Sequence, residues 1–363
     1  MAEPLNPAAP FGVYVHIPFC RHRCDYCAFA TWDDRLELLD AYVAGLGTEI
    51  GRARDSTEGL PAATSVFFGG GTPSLLAPAQ VATVLGALPL APQAEITLEC
   101  NPEGVDAGRL EGYRRAGVTR ISLGAQSLVD GVLARLDRTH DAARVVAAAR
   151  AVAGAGFASW SLDLIYGTVG ETVHDWRRSL EGAVGLDPPH VSAYGLTVEA
   201  GTPLAAAPER FPDDDDQADK YLVAEEVLGA AGLASYEVSN WARPGHRCAH
   251  NGLYWSQGDY RGFGCAAHSH RAGRRWWNVR TPERYLRRLA AGEAVEAAGE
   301  SLDPAGRRLE GLQLDLRTDR GVPASALDLS GGDLDGLVEQ RGRRLVLTPA
   351  GRLLANEVAL RLR

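Results

Sequence analysis

Three cysteines, Cys20, Cys24 and Cys27, stand at C-x3-C-x2-C spacing. A loop of this length can turn three thiolates toward one metal centre. Three ligands are one too few for a closed four-cysteine cluster or zinc site. If no fourth protein ligand arrives, one iron of a [4Fe-4S] cube stays open to a small molecule. Zinc is a rival occupant, but its cysteine ligands usually come in two-plus-two groups, and no second C-x2-C exists here. A purely structural reading leaves three buried or solvated thiols.

The setting of the triplet limits the scaffold. Phe11 to Ile17 is an apolar run before Pro18, a strand whose C-terminal end carries the cysteine loop. A one-faced helical pattern follows from Asp34 to about Arg54. Further strands are expected at Thr64 to Phe68, Ala94 to Cys100, Val118 to Leu123, Trp160 to Leu164 and His190 to Leu196. The recurrence every 25 to 35 residues or so, with helices between, is the signature of βα units on a parallel sheet. Six units fall short of eight, so the fold class is α/β, a partial (βα)6 TIM-like barrel, spanning residues 11–205. Polar residues cluster at the strand C-termini: Glu99, Gln126, Asp163 and Tyr194. Parallel strands are otherwise nearly continuously apolar, and barrel active sites are built at that end. Gly69-Gly70-Gly71-Thr72-Pro73 after the second strand lets backbone N–H groups approach a ligand without Cβ atoms in the way. The bland alternatives are a strand-to-helix turn for the glycines, a surface helix residue for Arg138 and a helix cap for Asp163. Cys100 reads as a small buried thiol.

Composition narrows the class. The net charge of −9 over 363 residues argues against nonspecific nucleic-acid binding. Six cysteines, three of them clustered, indicate metal chemistry in a reducing cytosol rather than a disulfide framework. The start MAEPLNPAAP has neither a basic n-region nor an apolar h-region, so no signal peptide is expected and residues 1–10 read as a frayed tail. No run approaches the ~18 apolar residues of a transmembrane helix.

The cysteine spacing, Tyr26 beside the last cysteine, the GGGTP segment and the pattern Glu99-x-Asn101-Pro102-Glu103 together resemble the radical S-adenosylmethionine (SAM) superfamily, and more narrowly its coproporphyrinogen dehydrogenase-like branch. The resemblance implies that Cys20, Cys24 and Cys27 each bind one iron of a [4Fe-4S] cluster. SAM chelates the fourth iron through its amino and carboxylate groups. Tyr26 lies near the adenine. Gly70, Gly71 and Thr72 hold the methionine end, and Tyr14, Glu99, Gln126, Arg138 and Asp163 line the rest of the SAM pocket.

Two features separate members of that branch. His250-Asn251-Gly252-Leu253-Tyr254-Trp255 reads H-N-x-x-Y-W. His, Tyr and Trp close together make a flat, aromatic-walled pocket with one nitrogen ligand, and histidine is a common axial ligand of heme iron. The plain alternative is a core histidine among aromatics. The motif is similar to one in the HemW heme chaperones, where it is implicated in heme binding. Phe29 occupies the position where oxygen-independent coproporphyrinogen dehydrogenases carry a further cysteine. The resemblance therefore implies a cytoplasmic heme chaperone that binds heme, with His250 in its site, and passes it to an acceptor protein the sequence does not name. A homodimer is also implied, with no interface visible in the sequence. The rivals are a coproporphyrinogen dehydrogenase-type enzyme and a radical SAM methyltransferase.

The second half carries a barrel extension over 206–300, which includes the H-N-x-x-Y-W motif. An acidic break, Asp213 to Asp216, precedes a helix expected from Asp219 to Ala231. From about 301 the pattern changes to short helices, a strand pair turning at Arg341-Gly342-Arg343, and a closing helix from Arg352 to Leu360. This tail resembles a winged helix, a small C-terminal α+β domain. Its many acidic residues favour a structural or substrate-covering role over nucleic-acid binding.

Overall fold

Phe11–Ile17 (β1) is apolar at most positions and buried at all but Tyr14, as expected of a strand covered on both faces. The same logic builds β2 (Ala63–Gly70), β3 (Leu90–Cys100), β4 (Arg120–Gln126), β5 (Ser159–Tyr166) and β6 (His190–Gly195), which lie parallel in chain order. Between them run α1 (Leu39–Asp55), α2 (Pro78–Ala87), α3 (Ala107–Ala116), α4 (Asp130–Arg135), α5 (Ala142–Gly154) and α6 (Val173–Gly185). The computed structural model describes residues 9–57, 59–330 and 332–363. Most of the tail expected over 1–10, residues 1–8, lies outside the described residues.

The rest of the chain widens the sheet at both edges. After α7 (Asp214–Ala230) come β7 (Ala234–Glu237), β8 (Asn240–Ala242), α8 (Ala249–Trp255), β9 (Asp259–Phe263), β10 (His268–Arg271), β11 (Arg274–Asn278), α9 (Pro282–Ala290) and β12 (Glu296–Ser301). Among the described residues these complete a 12-stranded sheet in the order β12-β11-β10-β9-β1-β2-β3-β4-β5-β6-β8-β7. One hydrophobic core joins side chains from Phe11 to Val295. A separate small core, from Leu316 to Val358, holds α10 (Pro304–Leu316), β13 (Val322–Pro323), β14 (Val338–Arg341), β15 (Arg344–Leu347), α11 (Pro349–Leu353) and α12 (Ala355–Ala359).

Several boundaries differ from those read in the sequence, each for a local reason. Helix α7 starts at Asp214 rather than Asp219. Asp213 caps it by accepting the Asp216 N–H at 2.9 Å, and the acidic run fills the first turn, where negative charge meets the positive end of the helix dipole. Strand β4 continues to Gln126, whose backbone φ of 65° ends it. The closing helix expected over 352–360 is two short helices broken at Leu354, which has φ −109° and ψ 25°. No helix of the described residues is long and apolar enough to cross a membrane.

This arrangement brings one end of the sheet to a single place. The cysteine loop leaves β1, the glycine run closes β2, and Glu99 sits near the end of β3. Glu99 pairs in register with Ser122, Ser122 with Ser161, and Asp163 with Ser192, so the polar positions of four neighbouring strands form adjoining rows.

Candidate functional site

The cysteine loop is fixed from several sides. Cys20 N–H donates to Trp32 O at 3.0 Å, Trp32 N–H to Pro18 O at 2.8 Å, and Cys27 N–H to Cys24 O at 3.1 Å. Arg210 holds Asp25 at 2.5 Å, and the Leu204 N–H donates to the Asp25 carbonyl at 3.0 Å. From the glycine side, Gly71 N–H donates to Ile17 O and Thr72 N–H to Phe19 O, both at 2.8 Å. Gly71 is obligatory here, since a Cβ would stand 2.5 Å from the Phe19 carbonyl oxygen and 3.0 Å from Cys20 Sγ.

The three thiols line one cavity of about 450 Å³. Thr72 Oγ1 donates to Cys20 Sγ at 3.7 Å, Arg138 Nη1 to Cys24 Sγ at 3.3 Å, and Thr31 Oγ1 lies 3.9 Å from Cys27 Sγ. Burial pushes the Cys20 thiol up to about 11 and raises Cys24, which the Arg138 guanidinium partly counters. Metal binding must displace such protons. The donor set fits an iron–sulfur cube: three sulfurs share a cavity, and each has a side-chain donor beside it. Among the described residues no three His, Cys, Asp or Glu side chains, the cysteine triplet included, are grouped as ligands of a single metal ion.

Every residue singled out in the sequence as a cluster or SAM ligand lines this same cavity, from Tyr14 and Tyr26 through Gly70, Gly71, Thr72, Glu99, Gln126 and Arg138 to Asp163. Glu99 is half-buried beside the glycine run and accepts the Gly70 N–H at 3.2 Å. Burial, and next the carboxylate of Asp163, push its carboxyl up to about 8. Arg138 is not a surface helix residue. It leaves the loop after α4, donates to Asn101 Oδ1 at 2.9 Å, and keeps a buried Nε without a hydrogen-bond partner. Asp163 is not a helix cap. It lies inside β5 and accepts hydroxyls from Ser122 at 2.6 Å, Ser192 at 2.8 Å and Ser161 at 3.0 Å. These serines were not singled out in the sequence; the one signal was their polarity within otherwise apolar strands.

His250, on α8, reaches the back of the same cavity. It is buried, stacks on Phe67 at 5.5 Å, and has both ring nitrogens engaged: Nδ1 with Ser65 Oγ and Nε2 with Tyr254 Oη, each at 2.9 Å. Burial drives its pKa down to about 3. A metal would have to displace a hydroxyl from this ring. Through Tyr14, Phe29, Gly70, Glu99 and Tyr254 the cavity adjoins a larger one of about 890 Å³, walled by Tyr260, His268, Trp277, Arg275 and Arg280, with Glu310 and Leu314 contributed by α10. Phe29 is 65% exposed where the two meet.

Comparison with known proteins agrees with this geometry. Residues 14–182 match the model of the radical SAM superfamily. The chain is 42% identical over 97% of its length to the heme chaperone HemW of Mycobacterium tuberculosis, of which it covers 94%. It is 41% identical over 71% of its length to HemW of Escherichia coli, covering 70% of that protein. Coproporphyrinogen III oxidase (HemN) of Escherichia coli, a radical SAM enzyme, superposes with a TM-score of 0.83 over 98% of this chain and 90% of its own; at 23% identity that likeness establishes the fold alone. The chain belongs to the HemW family of the radical SAM superfamily.

Proposed function

We propose that this protein is a heme chaperone that binds heme and passes it to an acceptor protein, and that it carries a three-cysteine [4Fe-4S] cluster with SAM at the open iron. The relatives named above are heme chaperones, one of them matched over nearly its whole length. The observation that carries the reading is the pair of adjoining cavities, one lined by three cysteines and one walled by aromatic rings. Phe29 stands between them and offers no thiol, which weighs against the dehydrogenase reading.

In this reading Cys20, Cys24 and Cys27 hold the cluster. When bound and reduced, the cluster supplies one electron to the SAM sulfonium. The chain's own residues prepare the cavity. Glu99 and the Gly70–Thr72 backbone accommodate the cationic methionine end of SAM, and Arg138 steadies Cys24, its Nε buried without a partner. Gln126 and Asp163 bound the remainder, and Tyr26 packs against the nucleoside. His250 lines the smaller cavity and holds Tyr254, which belongs to the wall that the two cavities share. The protein acts in the cytosol, where reduced thiols persist; the handover partner is a protein, and a homodimer is the working assembly.

Anaerobic reconstitution followed by Mössbauer spectroscopy and heme titration tests this function. The expected result is about four irons per chain in one cubic cluster and stoichiometric heme binding. A stable zinc centre without iron, or conversion of coproporphyrinogen to protoporphyrinogen with SAM consumed, would overturn it.

A further inference from the structure

We propose that heme sits in the larger, aromatic-walled cavity, with His268 as its iron ligand and Arg280 facing a propionate carboxylate. This rests on the chaperone reading above and names the seat and the ligand within it.

Among the described residues three imidazoles line the larger cavity, His16, His268 and His270, and His250 lies behind Tyr254 on the smaller one. An iron ligand needs a ring nitrogen with a free lone pair. His16 has both nitrogens taken, by Tyr14 Oη at 3.0 Å and Ala30 O at 2.9 Å. His270 is held by Gly258 O at 3.0 Å and the Gly273 N–H at 3.2 Å. His250 is held by Ser65 and Tyr254, and it lines the smaller cavity without reaching the larger. His268 alone among these four has neither nitrogen hydrogen-bonded among the described residues. It stands exposed at the start of β10, on the wall of the larger cavity. Its ring is not loose: it stacks on Trp277 at 5.6 Å with the planes 26° apart, across the registered pair His268–Trp277 of β10 and β11. A fixed ring plane with a free nitrogen is what a preorganised axial ligand requires.

The surroundings suit a flat apolar disc with anionic edges. Tyr254 and Tyr260 meet edge to face at 4.7 Å and give the cavity a second aromatic side. The volume of about 890 Å³ lies in the range of cofactor-sized pockets. Charge sits at the rim. Arg275 is already neutralised by Glu300 at 2.9 Å and Glu310 at 2.5 Å, whereas exposed Arg280 has no acidic partner among the described residues. An unpaired guanidinium beside an apolar cavity is the group that receives a carboxylate. His250 then acts as a positioning residue, which holds the Tyr254 hydroxyl and so the wall shared with the cluster cavity.

The test is titration of the full chain with ferric heme, read by Soret absorbance and electron paramagnetic resonance, with metal-free protoporphyrin followed by fluorescence in parallel. His268→Ala is expected to change the iron spectrum and weaken ferric heme at least about tenfold while leaving protoporphyrin within about twofold. His268→Met should move the spectrum to that of a thioether ligand, which a merely structural histidine would not do. His250→Ala should keep the wild-type iron spectrum, and Arg280→Ala should weaken both porphyrins. If His268→Ala retains the wild-type spectrum and affinity, the assignment is overturned, whether the iron signal moves to His250 or to neither. Absence of heme binding by the wild-type chain is a different result, which removes the chaperone reading itself.

Discussion

Glu99 shows how much a single side chain can report. A carboxyl held near 8 in the folded chain, against 4.5 ordinarily, binds a proton between those values only when folded. Its contribution to stability is complete below about 4.5 and is lost as the pH rises through about 8. The ligand-free chain should therefore unfold at lower urea at pH 9 than at pH 6. Glu99→Gln should remove that part of the difference, which amounts to at most about 1.4 kcal/mol for each pH unit crossed. The affinity for SAM, whose methionine end is cationic, should rise over the same interval in the wild type and stay flat in the variant, measured by calorimetry on reconstituted protein. Gly71→Ala makes a second expectation at this scale. Its Cβ would press on Phe19 O and Cys20 Sγ, so iron retained after anaerobic reconstitution should fall below about half the wild-type value. The cysteines stood out in the sequence by their spacing, and the glycine run and Glu99 by their places at strand ends and by the family resemblance; the structure brings them to one cavity. The serines around Asp163 were not: a serine inside a strand has no local signature, and only the register of β4, β5 and β6 assembles three of them around one carboxylate. His268 escaped for a similar reason, since what distinguishes it is the lack of a partner, which no motif encodes.

Elements were legible in proportion to how fully they are buried. The parallel strands β1 to β6 announce themselves as apolar runs. Strand β9, Asp259-Tyr-Arg-Gly-Phe, does not, because only Gly262 and Phe263 are fully buried, while Tyr260 lines the large cavity and Arg261 lies over the rings of Phe263 and Trp276. Helix α8 was visible as a motif but not as a packed element. It rests on β1 at Gly12, where a Cβ would come within 2.7 Å of Leu253 Cδ1 and 3.0 Å of His250 Cε1. Gly12→Ala should thus push α8 off the sheet and cost about 1–3 kcal/mol, seen as a lower denaturation midpoint with unchanged m-value. Because His250 and Tyr254 ride on that helix, heme affinity should fall with it.

At the scale of the molecule, the long sheet leaves two ends to protect. At β7 the outer edge is met by the bridge between Glu237 and Thr318, and Arg352 of the C-terminal unit pairs with Glu225 at 2.7 Å. At the opposite end β12 is almost wholly exposed and relies on charge: Glu296 pairs with Arg274 at 2.5 Å and Glu300 with Arg275 at 2.9 Å. Charged side chains on an open edge discourage pairing with another chain. The double variant Glu296→Val/Glu300→Val should accordingly aggregate sooner on mild heating, as followed by light scattering. The sequence showed the change of pattern near residue 301. It did not show that α10 would close the large cavity, since Glu310 and Leu314 acquire that role only through tertiary contact.

Tyr14, Gly70, Glu99 and Tyr254 belong to both chambers. A partition with two faces makes the occupants thermodynamic correspondents. Whatever factor the nucleoside sulfonium imposes on the hold over the macrocycle, the macrocycle returns in equal measure. Release of one can therefore be set by the departure of the other, with no moving lid required.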